Sequence, residues 1–176
     1  MELIVSITII VILTVVLLAN FHAGQSSNEA NLAIQKLASD IRRVQGYSLS
    51  LKNYAGAKGE NGWGVFFNMD TTTDPDNIRK FTVFYDIDKD SKRNMDGSED
   101  VEEIFFSKGV VLSGLRIESA AVQGQRLSVL FVPPEPIIHI CDSQCDGEID
   151  ATVMLTSGAN TKKVDLNIFG LVDTEN

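Results

Sequence analysis

The sequence predicts an α+β fold: one long N-terminal α-helix, its first half hydrophobic, packed on an antiparallel two-sheet β head. Three observations carry the prediction. Residues 3–19 form an apolar run without a formal charge. Leu37, Ile41, Val44, Ser48 and Leu51 then recur at four- and three-residue steps, the spacing of one helix face. From Trp63 onward, short β-branched and aromatic runs are bounded by Asp, Gly and Pro, and no second long helical period follows. Helix and strands are therefore segregated along the chain, the arrangement of α+β layers.

The helix is expected to run from Glu2 to about Asn53. Leu3 to Ala19 is close to the length of a bilayer-spanning helix, ~20 apolar residues at ~1.5 Å each. Glu2 stands at the mouth of this run, and the next formal charge is Glu29. A secretory signal or an ordinary membrane anchor would carry Lys or Arg where Glu2 sits. A carboxylate at the edge of hydrocarbon must find a cation, neutralise, or snorkel to the headgroups. Beyond the run, Gln35, Lys36, Asp40, Arg42, Arg43 and Gln45 take the face opposite Leu37 and Ile41, so the second half is amphipathic. Asn20, Gly24, Ser26 and Ser27 weaken its middle, and Gly56, Gly59 and Gly62 close the helical region. This divides the chain into a transmembrane or filament-core segment, 1–27, and a head, 28–176, made of a half-helix over 28–53 and a β region over 63–172.

Strands are expected over 63–68, 80–87, 101–107, 112–119, 126–132, 151–156 and 163–172. The stretch from Pro133 to Asp150 reads as a loop between two strands. With 176 residues in all, the head is the size of one ordinary domain.

A net charge of −9 and scattered Lys and Arg argue against nucleic-acid binding, which needs a basic stripe to displace counterions. The sequence has no nucleophile elbow, zinc-protease motif, phosphate loop or dinucleotide fingerprint. Its two histidines, His22 and His139, are far apart. No catalytic residue is predicted, and the expectation is a protein that is not an enzyme.

One loop carries possible metal chemistry. Asp86, Asp88 and Asp90 alternate, followed by Asn94, Asp96 and Glu99. Alternate carboxylates on a tight loop can converge on one hard cation, and Ca²⁺ takes six to eight oxygens. In a register starting at Asp86, Asn94 falls at the ninth position of an EF-hand. Ser91 stands at the sixth instead of Gly, and Gly97 at the twelfth instead of Glu. The closing acid would be Asp96 or Glu99, and a structural Ca²⁺ competes here with a solvated acidic hairpin. Cys141 and Cys145 flank three residues. In an oxidising compartment an even pair reads as a disulfide, with free thiols and a metal site as the other readings.

The run Glu2-Leu3-Ile4-Val5-Ser6-Ile7-Thr8-Ile9-Ile10-Val11-Ile12-Leu13 resembles the E-L-x-V-x-I-x-I-I-x-I-L core of the type IV pilin family. Leu37 to Gln45, the Trp63 to Phe67 strand and the Asn167 to Gly170 element resemble GspH/FimT-type minor pseudopilins of type II secretion systems. The family's basic leader ending in Gly, and the Phe that follows it, are absent; Met1 stands just before Glu2, as expected of a truncated start or a misplaced start codon. The resemblance implies a structural subunit, minor pilin or pseudopilin, of a type IV pilus or type II secretion system. Its partners would be other pilin or pseudopilin subunits and the inner-membrane assembly machinery. It would sit in the bacterial cytoplasmic membrane as a single pass with the head outside, and then in the pilus or pseudopilus. Glu2 would be the assembly residue, pairing with the processed N-terminal amine of a neighbour. The alternative is a membrane-anchored, Ca²⁺-stabilised β binding module that never polymerises.

Overall fold

The computed structural model describes residues 2–56, 59–118, 120–134, 137–142, 150–167 and 172–175, with the side chains of 18–24, 123, 137 and 175 left out. Helix α1 spans Glu2–Leu49. Its apolar side chains from Leu3 to Leu17 are all exposed, between 52% and 71% where measured. Among the described residues no helix is long and apolar enough to cross a membrane; the expected span continues into 18–24, whose side chains lie outside the description.

Over its second half the predicted face is buried: Ala30, Ala33, Ile34, Leu37, Ala38, Ile41, Val44 and Ser48. The helix ends four residues earlier than the sequence suggests. Leu51 takes a left-handed conformation (φ 52°), its N–H donating to the Ser48 carbonyl at 2.9 Å while Lys52 donates to the Tyr47 carbonyl at 3.0 Å. This pair of bonds is the Schellman motif, which satisfies the last carbonyls and stops the helix. Leu51, expected on the core face, is therefore exposed.

The head holds two five-stranded antiparallel sheets. The first comprises β1 (Trp63–Asn68), β2 (Lys80–Tyr85), β3 (Asp100–Phe105), β6 (Arg126–Val132) and β7 (Ile137–Cys141), in the order β3-β2-β1-β6-β7. The second comprises β4 (Val110–Ile117), β5 (Ala120–Ala121), β8 (Ala151–Ser157), β9 (Asn160–Leu166) and β10 (Val172–Glu175), in the order β10-β9-β8-β4-β5. Strand alternation puts Trp63, Val65 and Phe67, with Phe81, Val83, Leu127, Val129 and Phe131, on the inner face of the first sheet. They meet Leu112, Val153, Leu155, Val164 and Leu166 of the second sheet and the buried face of α1 in one core. Helix α1 packs on strands of both sheets.

Two expectations are corrected. The stretch read as a loop after Pro133 contains β7, where Ile138 and Ile140 alternate inward and pair with Phe131 and Val129. The single strand expected over 163–172 is instead two antiparallel strands, with Val172 opposite Leu166. A short 3-10 turn at Pro75–Arg79 follows Asp74, whose carboxylate accepts from the Asp76 N–H at 2.9 Å.

Candidate functional site

The acidic loop connects β2 to β3, and its two ends are held by the sheet: Tyr85 N–H donates to the Glu99 carbonyl at 3.0 Å. Asp86 leaves β2 buried, 1% exposed, and its carboxylate accepts from the backbone N–H groups of Lys89 (2.7 Å) and Ser91 (3.1 Å). Lys89 and Ser91 are left-handed (φ 66° and 67°), which curls the chain back around that carboxylate. Asp88 accepts from the Asp90 N–H at 3.2 Å and from Asn94 Nδ2 at 3.0 Å. Glu99 closes the loop from its far end, fully buried, accepting from Ile87 N–H and Asn94 N–H, each at 2.8 Å.

Carboxylate oxygens of Asp86, Asp88 and Glu99 thus lie within 4.8 Å of one another. Among the described residues none of the three pairs with a Lys or Arg. Arg93, a cation of the same loop, is taken by Asp100 and lies 4.7 Å over the Phe66 ring. Burial therefore pushes the Asp86 carboxyl up to about 6, against the backbone N–H groups of Lys89 and Ser91 and with help from the charges of Glu99 and Asp88. Asp88 is held below the ordinary carboxylate range, chiefly by the Asn94 amide. Three converging carboxylates, two of them buried, could bind a metal ion; oxygen-only donors suit a hard dication.

Of the six predicted ligands, the structure gathers Asp86, Asp88 and Glu99 and sets Asn94 against Asp88. It does not bring in Asp90 or Asp96. Asp90 accepts from the Lys92 N–H at 3.0 Å, and Asp96 from Ser98 N–H and Oγ at 3.0 and 2.7 Å. Cys141, the last residue of β7, is disulfide-bonded, with Sγ 3.4 Å from the Ser91 carbonyl. Cys145 lies outside the described residues, as do the His22 side chain and Gly170. The buttress that β7 gives the loop was missed because Pro133 and Pro134 signal a break; the alternation of Ile138 and Ile140 was the available clue.

The second feature is the N-terminal half of α1. Glu2 lies in its first turn. The hydroxyls of Ser6, Thr8 and Thr14 donate to the carbonyls of Glu2, Ile4 and Ile10 at 2.7–2.9 Å. Each is satisfied within its own helix, so the run presents an apolar surface without open donors, as hydrocarbon or a packed helix bundle requires.

Comparison with protein-family models, curated proteins and solved structures returned no match. The fold defines the class: an α+β protein, pilin-like in shape, with a candidate cation loop at one edge of its head.

Proposed function

We propose that this chain is a structural subunit, a minor pilin or pseudopilin of a type IV pilus or type II secretion system, that assembles through its hydrophobic N-terminal helix. One observation carries the reading. Fifteen consecutive helical positions, Leu3 to Leu17, are exposed and charge-free, while one face of the same helix from Ala30 to Ser48 packs into the head. A soluble monomer does not keep an apolar surface of that extent in water; a membrane or neighbouring helices cover it. The motif resemblance of Glu2 to Leu13 supports neighbouring helices as the final cover. Glu2 then pairs with the terminal amine of an adjacent subunit, since an unpaired carboxylate in that setting costs several kcal/mol. The role is assembly, not catalysis. The acidic loop takes Ca²⁺ as a structural ion: Asp86, Asp88 and Glu99 supply charge and converging oxygen donors, and further oxygens complete the six to eight that Ca²⁺ takes.

The test is made in the native host with a tag on the head. Wild type is expected in the sheared filament or high-mass membrane fraction together with other subunits bearing a similar apolar helix, and Glu2→Ala is expected as a membrane-bound monomer. Wild type recovered only as a monomer would contradict assembly and favour a membrane-anchored binding module.

A further inference from the structure

The first sheet carries a second, smaller apolar cluster on its outer face. Phe66, Phe84 and Leu130 are buried apart from the main core, with Val132 packed against them. Strand alternation sets them opposite Val65, Val83 and Val129, which face inward. Gly64 stands across from both Phe84 and Leu130, and the Phe84 ring fills the space above it. Helix α1 and the second sheet pack on the inner side, so they do not shield these three side chains. The acidic loop crosses the outer side. Arg93 lies over the Phe66 ring of β1 and is forked to Asp100. Its N–H reaches Ser128 Oγ of β6 at 3.5 Å, and the Ser91 carbonyl sits against Cys141 Sγ at the end of β7. These bonds to the sheet are few. The loop's other bonds are mostly internal: Asp86, Asp88 and Glu99 accept from the N–H groups of Ile87, Lys89, Asp90, Ser91 and Asn94. A groove of about 290 Å³ runs between Lys92–Met95 and the side of Gly124, Arg126 and Ser128, so the loop is not packed flush on the sheet there.

We propose that this loop is a cation-locked strap: with a hard dication held by Asp86, Asp88 and Glu99 it stays closed over Phe66, Phe84 and Leu130, and without the cation it lifts and bares the outer face of the sheet. The proposal rests on the reading of the loop as a Ca²⁺ site and adds what that ion controls. The carboxylate oxygens lie within 4.8 Å of one another, and like charges that close repel unless a counter-charge joins them. The same carboxylates hold the curl of the loop through its backbone N–H groups. Arg93, the pin on Phe66, stands midway between Asp86 and Glu99 in the chain, so its placement follows that curl. The outer cluster is separate from the main core, so the strap opens as a local unit while the head stays folded.

The experiment uses the full chain in neutral detergent micelles with its Leu and Val methyl groups labelled for NMR. Broadening of the methyl signals by a neutral, water-soluble nitroxide is compared in Ca²⁺ and in chelator, and Ca²⁺ binding is measured separately by titration calorimetry. Leu130 reports the outer face, and Val129, its neighbour on the inner face, reports the main core. Ca²⁺ is expected to give a saturable heat, and Leu130 to broaden severalfold more in chelator than in Ca²⁺ while Val129 stays unchanged. Glu99→Gln is expected to lose the heat and to keep the broadened Leu130 signal with or without Ca²⁺. A saturable heat with Leu130 equally protected in both states would overturn the strap and leave the Ca²⁺ site standing. Absence of heat in wild type would overturn both. Val129 broadening together with Leu130 would mean that the whole head loosens, and would overturn the strap as a local device.

Discussion

Glu99 and Asp86 approach the same point from opposite ends of a loop, both buried and, among the described residues, neither paired with a cation. A bound Ca²⁺ would stabilise the folded head by about 2.7 kcal/mol at a free concentration about one hundred times Kd. For a chain of this length that raises Tm by several degrees. Calorimetry with Ca²⁺ and with chelator should show this rise in wild type and its loss in Glu99→Gln; an identical Tm in chelator would remove the metal from the account. The cation-free protein has its own signature. The folded Asp86 carboxyl, near pH 6, lies above the ~3.9 of an unfolded aspartate. Its contribution to stability is therefore fully present below about pH 4 and lost as pH rises through about 6. Chelated wild type should lose Tm over that window relative to Asp86→Asn, and Ca²⁺, which replaces the proton as counter-charge, should restore wild type above about pH 6 and leave Asp86→Asn little changed. The depressed carboxyls of Asp70, Asp74, Asp88 and Asp96 act with the opposite sign, their stabilisation being lost as pH falls below the same window. The alternation of Asp86 and Asp88 made this site visible in the sequence. Spacing could not show that Asp90 and Asp96 serve nearby backbone N–H groups instead, because that choice is made by local turn geometry.

At the scale of elements, α1 and β1 set the geometry of the head. Leu37 is buried on the packed face of the helix, whereas Leu32, five residues before it on another face, is 66% exposed. Leu37→Ala should cost about 3 kcal/mol in denaturant unfolding and Leu32→Ala less than about 0.5 kcal/mol. Gly64 in β1 admits no side chain: a Cβ there would stand 2.5 Å from the Phe84 ring and 2.8 Å from the Val129 carbonyl oxygen. Gly64→Ala should therefore destabilise the head by about 2 kcal/mol or more, since the carbonyl belongs to the neighbouring strand and cannot swing away. The helical period was legible from Leu37 to Ser48 because burial enforces it. The end of the helix was not, since the stop comes from a left-handed Leu51, a residue that rarely takes that conformation. Strand β7 was hidden behind two prolines, and the division between β9 and β10 behind a run of strand formers.

At the scale of the whole molecule, an exposed apolar surface and a packed one share one helix. The packed half of α1 completes a core made by both sheets, and Leu3 to Leu17 offer only aliphatic side chains and tied-back hydroxyls. The α+β layering was readable because the change from a helical to a strand pattern near residue 60 is abrupt. Under the proposed function neighbouring helices cover the exposed half; a hydrophobic run alone specifies lipid and neighbouring helices equally well. In the proposed assembly the position of Glu2 is the feature that separates them. The direct measurement is a photo-crosslinking residue at Ile9, exposed on α1, in the full chain within native membranes and surface fractions. Assembly through the helix predicts a ladder of protein adducts at subunit-sized steps, collapsing in the Glu2→Ala background. Adducts to lipid alone, unchanged by Glu2→Ala, would contradict it.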